Sequence, residues 1–391
     1  MKVLFLSRWY PSPERPYHGI FVREHARSAR AAGHEVAVLH VPEDKVPVRW
    51  LYRLVREPDP KLTEGIPTYH LHCRRVSLPR LARISGALSY GIFLLSTVAA
   101  YRRIRRDGFR PDLFHANVWS SSMAASLLAR LTRRPFVVTE HATAFPNRAL
   151  SATAVSHVRH SYPRAAAVMP VSENLRQAIE AYGVHATFQV VPNAVDTSLF
   201  WNDPMHCPGD PKHLVFVGAL EPSGHKGFPT LAEALVALRE RRRDWHLDVV
   251  GDGPSRAGYQ QLIADRELDG LVTFHGSRPK AEIAAMMRDA DLFVLPSRFE
   301  NLPCVIIEAM TSGLPIVSTR VGGIPEMVSD DEGILVEPDD APALTAALDC
   351  ALSGLGRFDR SSIAAQARQR YSLENVGRQL GSIYEAIVAG R

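Results

Sequence analysis

Short apolar runs of strand length alternate with helical stretches in two successive series, one before residue 200 and one after residue 212. In the first, residues 2–7, 34–40, 112–117, 135–141 and 165–170 read as strands, and 20–32, 121–130 and 173–182 as helices. In the second, 213–218, 245–250, 272–274, 291–296, 316–319 and 333–336 read as strands. Their connecting helices are 228–239, 256–266, 280–288 and 305–311. Such alternation predicts parallel sheets covered by helices on both faces. At 391 residues, the chain has room for two such domains. Residues 201–212 are polar with interspersed Pro and Gly, and read as the linker. Residues 42–79 read as irregular and charged, with one strand near 68–73. The end of the chain reads as helices at 341–352, 361–370 and 373–389.

Composition narrows the partners. The net charge of +5 and pI near 9.1 suit anionic ligands such as nucleotide sugars, phosphorylated lipids or a bilayer surface. No zinc-finger or RNA-binding signature is present, so no nucleic acid is expected. Cys73, Cys207, Cys304 and Cys350 stand too far apart for a zinc site or a disulfide framework, which points to a reducing, cytoplasmic setting. The chain opens directly on a strand, so no signal peptide is expected. Residues 84–101 lack charge and are flanked by Arg83, Arg102, Arg103, Arg105 and Arg106. That length is at the lower limit of a membrane span. Ser85, Gly86, Ser89, Ser96 and Thr97 dilute it, so a buried helix of the first domain is expected. A basic helix face resting on the inner surface of a membrane is the other reading.

The densest constellation is 297–310, Ser-Arg-Phe-Glu-Asn-Leu-Pro-Cys-Val-Ile-Ile-Glu-Ala-Met. A strand precedes it and a helix follows. The helix start aims backbone N–H groups and the positive dipole end at one spot, which suits an anion. Glu300 lies in the turn. Glu308 lies about two turns further on, inside the apolar Val305–Met310 stretch, where an unpaired carboxylate is costly. Carboxylates accept from sugar hydroxyls and backbone amides suit phosphate, so the pair fits a nucleotide sugar. After the 2–7 strand there is no Gly-x-Gly-x-x-Gly, which counts against a dinucleotide fingerprint. The loop 8–19 that stands there is long and rich in Pro and aromatics, and suggests a binding role.

Glu300-x7-Glu308, followed by Ser312-Gly313-Leu314-Pro315 and by Gly322-Gly323-Ile324-Pro325-Glu326, resembles the motif of retaining family 4 glycosyltransferases of the GT-B fold. Asn301-Leu302-Pro303 stands where many members have Gly-Phe-Gly. The resemblance implies two Rossmann-like domains facing across a cleft. Residues 1–200 would bind the acceptor, completed by a C-terminal helix near 374–391, and 201–373 would bind the nucleotide sugar. It implies hexosyl transfer with retention from a UDP- or GDP-sugar to a glycan, lipid-linked or small-molecule acceptor. No metal or other cofactor is expected.

The resemblance also distributes roles. Glu300, His141 and Lys226 would be catalytic: Glu300 on the donor hydroxyls, His141 on the transferred sugar, Lys226 on the diphosphate. Arg278, Arg298, Asn301, Leu302, Pro303, Cys304, Glu308 and Gly19 would bind the donor. Backbone N–H groups of 301–304 would hold sugar or phosphate, Glu308 the ribose, and Arg278 the base. Tyr10, His18, His115 and Asn117 are the acceptor-side candidates. The family has a phosphate-binding Arg where this chain has Ala219, so Arg298 and His225 are candidates to replace it. Two other readings fit the same residues: a sugar-nucleotide epimerase of the same architecture, and a non-catalytic nucleotide-sugar-binding scaffold, which Ala219 would favour.

Overall fold

A computed structural model describes residues 1–12, 15, 17–42, 50–77 and 82–390. Parts of the 8–19 loop (13, 14 and 16) and of the 42–79 stretch (43–49, 78 and 79) lie outside the described residues. The chain divides into two compact units, Met1–Ala194 with Leu373–Arg391, and Val195–Ser372. The division thus falls at Ala194, ahead of the 201–212 segment.

The first unit runs β1 (Lys2–Ser7), α1 (Ile20–Ala31), β2 (Glu35–His40), β3 (Tyr52–Arg56), β4 (Thr68–Cys73), α2 (Ala82–Arg106), β5 (Leu113–Asn117), α3 (Trp119–Thr132), β6 (Phe136–Glu140), α4 (Ala152–Ser161), β7 (Ala167–Pro170) and α5 (Glu173–Glu180). Its sheet order is β3-β4-β2-β1-β5-β6-β7. All pairs are parallel except β3 with β4, an antiparallel edge hairpin within the stretch read as irregular. Local chemistry sets the helix starts: Ser172, for example, caps α5 by accepting from Leu175 N at 3.1 Å.

The second unit runs β8 (Lys212–Val217), α6 (Phe228–Arg241), β9 (Trp245–Val250), α7 (Arg256–Ala264), β10 (Val272–Gly276), α8 (Lys280–Asp289), β11 (Leu292–Leu295), α9 (Cys304–Thr311), β12 (Ile316–Thr319), α10 (Ile324–Met327), β13 (Gly333–Val336), α11 (Ala341–Ser353) and α12 (Arg360–Tyr371). Its order is β10-β9-β8-β11-β12-β13, all parallel. This is the doubly wound Rossmann order. The order in which strands are added reverses between β8 and β11, and ligands bind outside the carboxyl ends of the strands at such a switch point. The six parallel strands of the first unit follow the same order, with their switch point between β1 and β5.

The last helix, α13 (Leu373–Ala389), belongs to the first unit. Val376, Leu380 and Tyr384 join Val22, Ala26 and Ala29 of α1 in one core cluster with Val3, Phe5 and Val38. The structure corrects the reading of α2 as a buried helix. Phe93, Ala100, Tyr101 and Ile104 are buried, but Ile84, Leu88 and Leu95 are 50%, 49% and 70% exposed.

Candidate functional site

In the second unit, the loops after β8 and β11 meet at the switch point. Gly227 begins α6 with φ of 70°, and a Cβ there would lie 1.8 Å from the Pro296 carbonyl oxygen. Only glycine lets the two backbones approach so closely. Arg298 N donates to His225 O at 2.7 Å, and the His225 and Phe299 rings stack at 5.3 Å. This docking places Lys226 Nζ 2.6 Å from Glu300 Oε1, which also accepts from Ser297 Oγ at 2.9 Å. The two side chains keep 18% and 11% exposure. Two residues that the sequence analysis treated separately therefore form one ion pair at the carboxyl edge of the sheet.

The amino end of α9 follows directly. Its N-cap is Pro303, which makes no side-chain capping bond, and Ile306 N donates to Pro303 O at 3.1 Å. Asn301, Leu302 and Pro303 are buried, and Cys304 is half-buried. Pro303 has no N–H, so the expectation that every backbone amide of 301–304 donates fails there, and Pro303 supplies shape only. Gly323 N donates to Asn301 O at 2.8 Å, which ties the Gly322-Gly323 turn to this loop.

Glu308 is buried and its carboxylate is held by Lys280 Nζ at the start of α8. The Lys280 ammonium also lies 5.5 Å from the Phe200 ring centroid. Sequence reasoning missed Lys280. The only available signal was that a carboxylate inside an apolar helix needs a cation. A hydroxyl reaching Glu308 has to share it with Lys280. Arg278 is exposed, just ahead of α8, and pairs with Glu282 in the first turn of that helix at 3.4 Å. Arg298 is half-exposed, with Nε 2.7 Å from Asp339 Oδ1. The pKa of His225 is lowered, first by burial and then by the Lys226 charge. His225 is therefore less readily a cation than an ordinary imidazole, whereas the Arg298 guanidinium is charged and paired with Asp339. Ala219 itself is exposed.

In the first unit, Gly19 (φ 69°) begins α1 against the backbone of Trp9. The Trp9 ring meets His18 at 6.1 Å and Phe21 at 6.2 Å, edge-on. Phe21 in turn packs on His141 at 4.3 Å, and His25 lies 5.3 Å from it. Burial holds the His141 pKa well below the ordinary imidazole range, so the ring is neutral. Its backbone N–H donates to Glu140 Oε1 at 2.8 Å, so a backbone contact to a sugar falls to its carbonyl.

Glu140 was not singled out from sequence. It is fully buried and accepts from Trp119 N, His141 N and Ala142 N, each at 2.8 Å, and from the Tyr162 hydroxyl. Burial pushes its pKa up to about 7 against the pull of those bonds. The carboxylate ties the end of β6 to the start of α3. There Val118 sits at φ 65°, a strained conformation for a β-branched residue.

Three acceptor-side candidates are corrected by burial. Tyr10 is 1% exposed and packs near His40. His115 is inaccessible, with Nδ1 at 2.6 Å from Tyr384 Oη and Nε2 at 2.6 Å from Thr139 Oγ1. Asn117 is inaccessible too, and its amide donates to His115 O at 3.5 Å. Strands covered on both faces turn every side chain inward, so a polar residue there is structural. His18 remains partly exposed.

Comparison with known proteins follows the same division. The profile of "Glycosyltransferase Family 4" matches residues 18–199, and that of "Glycosyl transferases group 1" matches residues 211–353. The chain is 27% identical over 368 residues to the putative teichuronic acid biosynthesis glycosyltransferase TuaC of Bacillus subtilis (strain 168), covering 89% of this chain and 88% of TuaC. It is 30% identical to the alpha-D-kanosaminyltransferase of Streptomyces kanamyceticus, covering 75% and 82%. Among solved structures, Anabaena HepE in complex with UDP superposes with a TM-score of 0.74 at 20% identity, covering 99% and 100%.

Proposed function

This chain belongs to the family 4, group 1 glycosyltransferases of the GT-B fold, and from that premise we propose a retaining hexosyl transfer from a nucleoside-diphosphate sugar to a glycan acceptor. The observation that carries the reading is the Lys226–Glu300 pair beside the amino end of α9, at the Rossmann switch point of the second unit. The UDP complex of HepE and the polysaccharide assignment of TuaC support the donor and acceptor classes.

In this reading the diphosphate lies against Lys226 and the first turn of α9, with Arg298 nearby. Glu300, oriented by Lys226 and Ser297, accepts from the donor hydroxyls. The bond from C1 to the diphosphate oxygen breaks, and its electron pair stays on that oxygen. The acceptor hydroxyl oxygen bonds to C1 on the same face, and its proton passes to the departing diphosphate. Negative charge grows on the leaving group, so a fixed ammonium and helix dipole lower the barrier. They do so without a metal.

The test is transfer by the full chain, in EDTA, from UDP- and GDP-sugars to an acceptor panel, with the product anomer read by NMR. Nucleoside diphosphate release that depends on acceptor, with the donor's anomeric configuration kept, is expected. Release without acceptor and with epimerised sugar would support an epimerase instead. Binding without turnover would support a scaffold.

A further inference from the structure

Glu140 ties together more of the first unit than its own strand. Its Oε1 accepts from His141 N and Ala142 N, and its Oε2 from Trp119 N and the Tyr162 hydroxyl. One inaccessible carboxylate thus fastens three segments: the start of α3 after β5, the turn after β6, and the 3-10 turn Tyr162–Arg164 ahead of β7. The loop after β5 borders the switch point between β1 and β5, where a parallel sheet of this order takes a ligand. The turn after β6 reaches the same corner, because His141 packs on Phe21 in the first turn of α1.

These bonds also set directions. In a trans peptide, the N–H of one residue and the C=O of the residue before it point opposite ways. With Ala142 N drawn onto Glu140, the His141 carbonyl is turned away from the carboxylate. With Trp119 N drawn onto it, the Val118 carbonyl is turned into α3, where it accepts from Ser121 N at 3.0 Å. Val118 stands at φ 65° and ψ 147°, which a β-branched residue adopts only when its surroundings impose it. Two bonds do so: Val118 N to Thr139 O and Trp119 N to Glu140 Oε2, each at 2.8 Å.

The cage suits an anion. Three of its four partners are N–H groups that can only donate, and the start of α3 adds its positive dipole end. Only the Tyr162 hydroxyl can turn and accept. A proton on Glu140 therefore goes toward Tyr162, and the neutral acid is a poorer acceptor for Trp119 N. Among the described residues, Tyr162 is the titratable side chain bonded to the carboxylate. Beyond it stand His141, His25 and His115, each held neutral by burial.

We propose that Glu140 is a positioning residue of the transfer site, its ionised carboxylate holding the loops after β5 and β6 in the arrangement that turnover requires. This role rests on the transfer proposed above, whereas the titration of the cage does not. Glu140 is inaccessible and acts through Trp119, His141 and Ala142. Burial raises its carboxyl to about 7, so the loops are held above that pH and loosened below it.

The experiment follows cage and turnover together, from about pH 5.5 to about pH 8.5. The full chain is labelled with 15N-tryptophan, and the Trp119 amide is identified as the signal lost in Trp119→Phe. Acceptor-dependent nucleotide release is measured over the same range. The Trp119 amide should shift with a midpoint near 7, and kcat/KM should rise through that midpoint, about tenfold per pH unit below it. Tyr162→Phe removes a bond that lowers the Glu140 pKa, so both midpoints should move up together. Glu140→Gln should abolish both titrations and lower kcat/KM at the alkaline end roughly ten- to a hundredfold. Glu140→Asp, which keeps a carboxylate, should restore a pH-dependent limb. If Glu140→Gln fails to fold, the parent and Tyr162→Phe decide alone. A Trp119 amide that does not titrate overturns the proposal. So does one that titrates while kcat/KM stays flat, or a Tyr162→Phe variant that moves one midpoint and not the other; each leaves the transfer reading standing. A parent that transfers no sugar from any donor overturns the transfer reading, and the positioning role with it.

Discussion

Lys226 is largely shielded, and its ammonium is already engaged by Glu300 at 2.6 Å. A charge-assisted bond of this kind contributes about 1.5–3 kcal/mol. Lys226→Ala should therefore lower kcat/KM for the donor by roughly ten- to a hundredfold, measured by nucleotide release at saturating acceptor. The opposite change is available at Ala219, whose exposure leaves room for a longer side chain. Ala219→Arg should tighten diphosphate binding about tenfold in a titration, because it adds a second cation at the end of β8. Glu140 gives a pH prediction. Its carboxyl titrates at about 7 when folded against an ordinary value of 4.5, so the folded chain holds the extra proton between those values. Stability then falls as pH rises from about 5 to 7, by about 3 kcal/mol from this group. Glu140→Gln should flatten that slope in urea unfolding at the two pH values, while costing about 1–3 kcal/mol for donors left without an acceptor. A slope unchanged by the substitution would show that Glu140 titrates normally.

At the scale of elements, the packing of α13 on α1 is the most exposed to test. A Cβ at Gly377 would lie 2.3 Å from the Ser28 carbonyl oxygen. Helix propensity alone makes Gly377→Ala stabilising by up to about 1 kcal/mol. The overlap should reverse the sign and destabilise by about 1–3 kcal/mol in urea unfolding. The strand–helix alternation of both units was legible because buried parallel strands are nearly continuous apolar runs. The β3 strand was not, because Tyr52–Arg56 is an edge strand with charged, exposed positions. Nor was α4, whose Ala152–Ser161 sequence carries two His and one Arg and no strong apolar period. The same continuity that reveals buried strands hides which way their polar residues point. His115 and Asn117 accordingly looked like sites and are interior. The 297–310 loop was legible from composition. Its partner Lys226 lies 74 residues away, and only the switch-point topology brings the two together.

For the whole molecule, two Rossmann units divide the work in this account. The second would hold an anionic donor against one ammonium and one helix terminus, and the first carries α13, the end of the chain, in its own core. The net charge of +5 suits an anionic donor. Whether Lys226 and α9 hold a nucleoside diphosphate is decided most directly by calorimetric titration of UDP, GDP and ADP, in EDTA, into the full chain and its Lys226→Ala variant. One diphosphate should bind the parent, and bind the variant roughly ten- to a hundredfold more weakly. Equal binding to both proteins, or no binding of any of the three to the parent, would contradict the account.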